Sequence, residues 1–400
     1  MMIFVIYFLF PISSFYIFEF IGEIYLTHLL IILLSIYFYF KKDLKIDNFQ
    51  KKIIIVSFIW LIAQLFSNFI NNISFDDNLK GLARIIFFIL SFYVFFQLNN
   101  INNKYLIYLI FSLSFFTIAY SFFDTKEIVY NWKISLSLIS VGLSLSFITS
   151  LIYSSKKNKN LLYSIFFFLI SFVSLYFESR FIFLINFIIG IFLILIKFYN
   201  LKQIIKMNIL SKLFILIILT ILPYKTYNFL YTNNLLSENL TKKQTAQKSN
   251  ENIIFSGRNE IFLSIESIKN KPLLGYGSWP KNCEIKSKYF DVLTNKNYNT
   301  GSYYRFIRNC HLGSHSIFFQ AWVESGIIGA IVWLFFLALI IKNFFKKNTF
   351  ENRYNIFKIL IFMVILWDIL FSPFGSISSI YMPLFMCVTL NQKTSNNYNA

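Results

Sequence analysis

The chain has 400 residues, of which 57% are hydrophobic and only 14% charged. That balance excludes a water-soluble globular protein and fits an all-α, polytopic integral membrane protein. A formal charge of +19 does not mark a nucleic-acid binder, because the lysines lie scattered in loops between apolar runs and form no basic domain.

In chain order, the apolar start from Met1 lacks a basic leader and runs on to about Phe20 as a span, not a cleavable signal peptide. Runs able to cross about 30 Å of hydrocarbon lie near residues 2–20, 24–40, 53–70, 81–98, 104–123, 133–153, 160–177, 181–199, 209–224, 316–341, 355–372 and 374–390. About twelve spans result, divided into spans 1–9 over 1–224, a large loop over 225–315, spans 10–12 over 316–390, and a tail over 391–400. One set of loops carries Lys41, Lys51, Lys104, Lys156, Lys197, Lys342 and their basic neighbours. The short loops of the other set hold only Lys80, Lys126, Lys133 and Arg180. By the positive-inside rule the first set is cytoplasmic, so both termini are inside and the stretch from Tyr224 to His315 is outside.

Glu178-Ser179-Arg180 then forms a hairpin tip on the outer side, where an arginine either snorkels to the headgroups or meets a partner. In the large loop, residues 231–252 are polar, and residues 256–280 read SGRNEIFLSIESIKNKPLLGYGSWP. Ile261, Ile265 and Ile268, with Phe262, make a stripe at helical spacing. Ser256 to Gly257 with Glu260 resembles a helix start, Pro272 stops the helix, and Gly275 and Gly277 allow a tight turn. The pattern predicts a short amphipathic helix against the outer membrane face, with Arg258 at its beginning. Residues 281–309 read as a lid or connector. Three cysteines, Cys283, Cys310 and Cys387, are too few for a metal site or a disulfide framework. Cys283 and Cys310 share the loop and can bridge if it faces an oxidising compartment.

His311 to Gly329, HLGSHSIFFQAWVESGIIG, carries the loop into the tenth span. If the helix begins near Ser316, then His315, Phe319, Trp322, Gly326 and Gly329 share a face, with Gly313 and Ser314 as bend and cap. Gly326 and Gly329 are expected to let a neighbouring helix approach closely. His315 reads either as a titratable group on a rigid platform or as a helix start that happens to contain histidine. His28 reads as structural, and Asp368 and Pro373 as a helix terminus.

Three features resemble the O-antigen ligase and polymerase family of bacterial envelope glycosyltransferases. His315-Ser316, nine residues, then Gly326-Ile327-Ile328-Gly329 is similar to that family's histidine, small polar residue and GxxG signature. Arg258 followed by a helix and Pro272-Leu273-Leu274-Gly275-Tyr276-Gly277 resembles its outer-loop arginine and PLLGxG. Ser179-Arg180, with Leu184 four residues after the arginine, resembles its SR hairpin. The resemblance covers roughly residues 175–340, with residues 281–309 departing from it in their crowding of Tyr and Lys.

The resemblance implies transfer of a glycan from an undecaprenyl-pyrophosphate carrier to a lipid A core sugar, at the periplasmic face of the bacterial inner membrane. Breaking a glycosyl phosphate leaves an oxocarbenium-like sugar and a pyrophosphate gaining negative charge. No Asp/His cluster with metal-ligand spacing occurs outside, so no metal or other cofactor is expected. Arg180 and Arg258 are the candidates to grip the phosphates, with Lys80 and Arg84, one helical turn apart, as additions. His315 is the candidate base for the acceptor hydroxyl, because histidine is the side chain that most readily takes a proton near neutral pH, in keeping with the role the resemblance implies. His311 is a second proton handler or a surface residue. Glu324 lies nine residues past His315, about 13 Å along the helix by rise, and is a functional suspect as an acid within a span.

Two other readings use the same chain. A polymerase would join lipid-linked repeat units to one another with the same arginines and histidine. A lipid-linked glycan transporter would instead need polar residues at mid-membrane, whereas the polar features here cluster at one surface. A glycosyltransferase with a catalytic carboxylate at Glu19 or Glu23 is disfavoured by the shortness of the loop they flank.

Overall fold

A computed structural model gives the fold for residues 4–19, 22–41, 46–102, 104–123, 159–176, 179–198, 209–233, 235–236, 241, 260–295, 310–344 and 355–390. Arg258, the expected span near 133–153, nearly all of the polar stretch and the tail lie outside the described residues. The helices are α1 Phe10–Ser13, α2 Leu26–Lys41, α3 Asn48–Ile70, α4 Phe75–Ile101, α5 Lys104–Phe123, α6 Lys159–Tyr176, α7 Arg180–Phe198 and α8 Ile209–Thr232. After them come α9 Glu260–Asn270, α10 Cys283–Asn295, α11 Ile317–Phe344, α12 Asn355–Phe371 and α13 Ser378–Leu390.

Three of these, α3, α4 and α11, are long and apolar enough to cross a membrane, and shorter apolar helices accompany them. Among the described residues, three of the roughly twelve apolar runs thus form helices of that length and composition. The first run is not a single span. A π-helical turn, Val5–Leu9, leads into α1, and the Ser13 and Ser14 hydroxyls then donate back to the Phe10 and Pro11 carbonyls. Such side chains compete with helix continuation. Beyond them the chain forms an antiparallel hairpin, β1 Ile17–Glu19 against β2 Glu23–Tyr25, in which Glu19 stands opposite Glu23.

The chain divides into two compact units. One comprises residues 1–109, 246–349 and 364–400. Within it α3 packs against α4 and α11, and α4 against α13. At their junction Trp60, Phe88, Trp333 and Phe374 form an aromatic knot with ring centroids 5.2 to 5.9 Å apart. On α3, Ile55, Ile59, Ile62 and Phe66 are exposed along one helical face while Ile53, Ser57, Trp60 and Gln64 are buried on the other. An apolar exposed face is the one a bilayer would cover.

The second unit comprises residues 110–245 and 350–363. Its centre is the α6–α7 hairpin, closed by buried serines: Ser164 donates to Gly190 O at 3.0 Å and Ser171 to Phe183 O at 3.0 Å. Small polar residues let the two helices approach, as they do in lipid. Leu175, Phe183, Phe187, Ile191 and Tyr227 then gather α8 onto α7.

Candidate functional site

The site grows from two helix starts and one helix break. At the first start, the Ser316 hydroxyl accepts from Phe319 N at 3.2 Å and donates to Ile369 O at 3.0 Å. Ser316 is therefore the cap of α11, in place of the expected Ser314, because only a hydroxyl immediately before the first turn reaches a free amide there. His315, one residue earlier, keeps 46% of its side chain exposed. Its Nε2 lies 3.3 Å from Glu260 Oε1, on the first residue of α9.

The break is at Gly326, whose φ of 69° and ψ of −161° interrupt α11. An L-residue is strained in that region, so glycine is required. The segment Pro272–Gly277 lays its backbone into the opening. Tyr276 N donates to Val323 O at 2.7 Å, Gly277 N to Glu324 O at 3.0 Å, and Ile327 N to Leu273 O at 3.2 Å. An unbroken helix would send Ile327 N to Val323 O, so the loop completes bonds that the helix gives up. A Cβ on Gly275 would stand 2.6 Å from Gly326 N. The expected role of Gly326, close approach of another helix, is thus corrected: the PLLGYG backbone approaches instead.

Beneath the break lies a buried ion pair. Arg84, 6% exposed, places Nη2 3.0 Å from Glu324 Oε2 and donates through Nη1 to Phe374 O at 2.8 Å. Gln320 donates to Glu324 Oε1 at 2.9 Å and accepts from Phe374 N at 2.7 Å. The Trp279 ring sits 5.0 Å from the guanidinium carbon. Beside the pair, Gln64 and Asn68 on α3 hold Ser278, with Gln64 Nε2 3.0 Å from Ser278 Oγ and Ser278 N 2.7 Å from Asn68 Oδ1. Arg84 and Glu324 are thus engaged with each other, and two guanidinium nitrogens are already used.

His311 is partly buried. It packs on Trp279 with centroids 5.6 Å apart, and its Nε2 is buried with no hydrogen-bond partner among the described residues. Burial pushes it below the ordinary imidazole range. Glu324 opposes that shift, whereas Lys286, Lys281 and Arg84 add to it. Its backbone bridges to Lys281, flanked by Asn282 N to Cys310 O at 2.7 Å and Leu312 N to Pro280 O at 2.8 Å. A disulfide joins Cys283 to Cys310 across this ladder. The stretch expected as a lid or connector begins as helix α10, capped by Asn282, with Ile285, Lys286 and Tyr289 buried.

On α9 the buried residues are Leu263, Ser264 and Ser267, and Ile265 is exposed. The predicted stripe is met in part: Phe262 and Ile268 pack against the face centred on Leu263, Tyr276, Leu312 and Val323, and Ile265 does not.

Lys80 lies with its aliphatic stem against Gly22, a Cβ there being 3.4 Å from Lys80 Cγ. Arg180 opens α7 in the second unit and hydrogen-bonds the Tyr227 hydroxyl. Arg258 is outside the described residues. His28 has its Nε2 3.3 Å from Ser379 Oγ and the Ser376 carbonyl, consistent with a structural role. Among the described residues no three His, Cys, Asp or Glu side chains gather as metal ligands. Sequence reasoning missed Glu260 as a partner of His315, and missed Trp279, Lys286 and the Gln64–Asn68–Ser278 network. For the network, the available signal was polar residues at helical spacing on the buried side of an apolar run.

Long apolar helices, with a polar loop wedged into the broken end of one of them, define a helical membrane protein. Residues 164–334 match the family model described as O-antigen ligase, a stretch containing Arg180, Arg258, His315 and Glu324 but not Lys80 or Arg84. That stretch is on this basis similar to the O-antigen ligase/polymerase family, whose members are membrane glycosyltransferase-like enzymes acting on lipid-linked glycans. No curated protein and no solved structure matches the chain.

Proposed function

We propose that this protein is an O-antigen ligase that moves a glycan from undecaprenyl-pyrophosphate to a lipid A core sugar at the periplasmic face of the inner membrane, with both termini cytoplasmic. The observation that carries the reading is the family match together with His315, exposed just before α11 and 3.3 Å from Glu260. The acceptor hydroxyl loses its proton to His315 as its oxygen attacks the anomeric carbon, and the glycosyl–phosphate bond breaks on the opposite face with inversion. Arg180 and Arg258 neutralise the leaving pyrophosphate, because a guanidinium stays charged and can hold two oxygens at once. No metal is needed for that step. Lys80, His311, Arg84 and Glu324 are the further residues proposed for substrate binding, of which Arg84 and Glu324 are paired with each other. The Cys283–Cys310 disulfide supports an oxidising location for the loop.

The test is transfer by the purified protein in detergent, with lipid-linked donor, lipid A core acceptor and EDTA. Wild type is expected to label the acceptor at full rate, and His315→Ala, Arg180→Ala and Arg258→Ala to lose about 10²-fold or more. Strict metal dependence would overturn the arginine mechanism. Longer lipid-linked chains with an unlabelled acceptor would make the enzyme a polymerase, and no turnover by folded protein would favour a transporter.

A further inference from the structure

The Glu260 carboxylate and the His315 ring come from the starts of two different helices. Glu260 opens α9 and His315 immediately precedes the cap of α11. Neither can drift freely. Leu263, one turn into α9, is fully buried with Tyr276, Leu312 and Val323, so α9, the PLLGYG segment and α11 move as one packed cluster. Ser264 ties its hydroxyl to Glu260 O at 2.9 Å and Ser267 ties to Leu263 O at 2.8 Å, which fixes the first turns of α9.

We propose that Glu260 is a positioning residue for His315: its carboxylate accepts from Nε2, fixes the ring's tautomer and orientation, and leaves Nδ1 to take the acceptor proton. This rests on the proposed function, since it presumes that His315 is the base. The helix ends supply the physical need. When the ring takes a proton it becomes a cation beside the positive end of α11, an unfavourable place for it. A carboxylate at 3.3 Å offsets that charge, and Glu260 is itself stabilised as an anion by the positive end of α9. Glu260 is 22% exposed in its side chain and His315 46%, so the pair has one sheltered member and one open to a substrate. In the reaction the hydroxyl proton passes to Nδ1 while Nε2–H stays on the ring facing Glu260. The carboxylate is not protonated, and the ring later releases one proton to solvent.

The experiment is a double-mutant cycle in the full-length protein with Glu260→Gln, His315→Ala and the combined variant, plus Glu260→Asp, each with kcat and KM for the donor. Glu260→Gln is expected to lower kcat by about 10- to 10²-fold with donor KM unchanged. Glu260→Asp should recover part of that loss, and Glu260→Gln should cost nothing further in the His315→Ala background. Equal multiplicative losses in both backgrounds, or a rise in donor KM in place of the fall in kcat, would overturn it. His315→Ala retaining full activity would remove the base itself and so count against the proposed function. Loss in His315→Ala with none in Glu260→Gln would sink only the role of Glu260. Thermal melting of every variant in detergent separates a folding defect from a catalytic one. If Glu260→Gln melts early, the Glu260→Asp result decides: wild-type melting with kcat still reduced supports the role, and wild-type kcat overturns it.

Discussion

At the scale of single residues, the buried Arg84–Glu324 pair shows how an ionisable group in an apolar span can be structural. Removing one partner leaves the other's charge enclosed and uncompensated, which typically costs about 3–5 kcal/mol. Arg84→Ala is therefore expected to lower the melting temperature in detergent sharply. The double change Arg84→Met with Glu324→Leu should recover most of the loss, and equal melting of the single and double variants would refute the pairing. The sequence made both residues legible as suspects, since charge inside an apolar run is rare. It could not pair them, because they are 240 positions apart and meet only through tertiary packing. His315 was legible for a different reason, its place at a loop-to-helix boundary. Glu260 was legible only as a helix-start residue, because a carboxylate in a first turn needs no partner to explain it.

At the scale of elements, the apolar pattern located α11 closely and the cores of α3, α4 and α9, starting α3 and α4 several residues late, yet it could not reveal that α11 is broken. Gly326 fits a helical face as well as a break, and only the loop bonded into it decides between them. Gly326→Ala should be severe, since the residue would be strained at φ 69° and its Cβ would run into the Leu273 carbonyl. Gly375→Ala is the control, as a Cβ there meets nothing within 4 Å. Gly326→Ala melting together with wild type would contradict the described junction. The start of the chain failed as a span for a related reason. Hydropathy over 2–20 is uniform, but Ser13 and Ser14 turn the backbone before a bilayer's length is reached.

At the scale of the whole molecule, the distribution of Lys and Arg is the ground for expecting the large loop outside, and the disulfide offers an independent check. Cys283 and Cys310 are 27 positions apart, and bridges closing loops of that size stabilise by about 2–4 kcal/mol. Alkylation of denatured protein from cells lysed with a thiol blocker is expected to find those two cysteines protected until reduction, and Cys283→Ser with Cys310→Ser should melt earlier. A pair found reduced would contradict an outward-facing loop. The mended helix break has a mechanical consequence at this scale. Peeling Pro272–Gly277 away would strand amides and carbonyls on both sides of the seam, each worth about 1–3 kcal/mol if left unpaired. That segment behaves as a rivet and not as a flap, so it is not the part of the chain that would open to admit the proposed glycan.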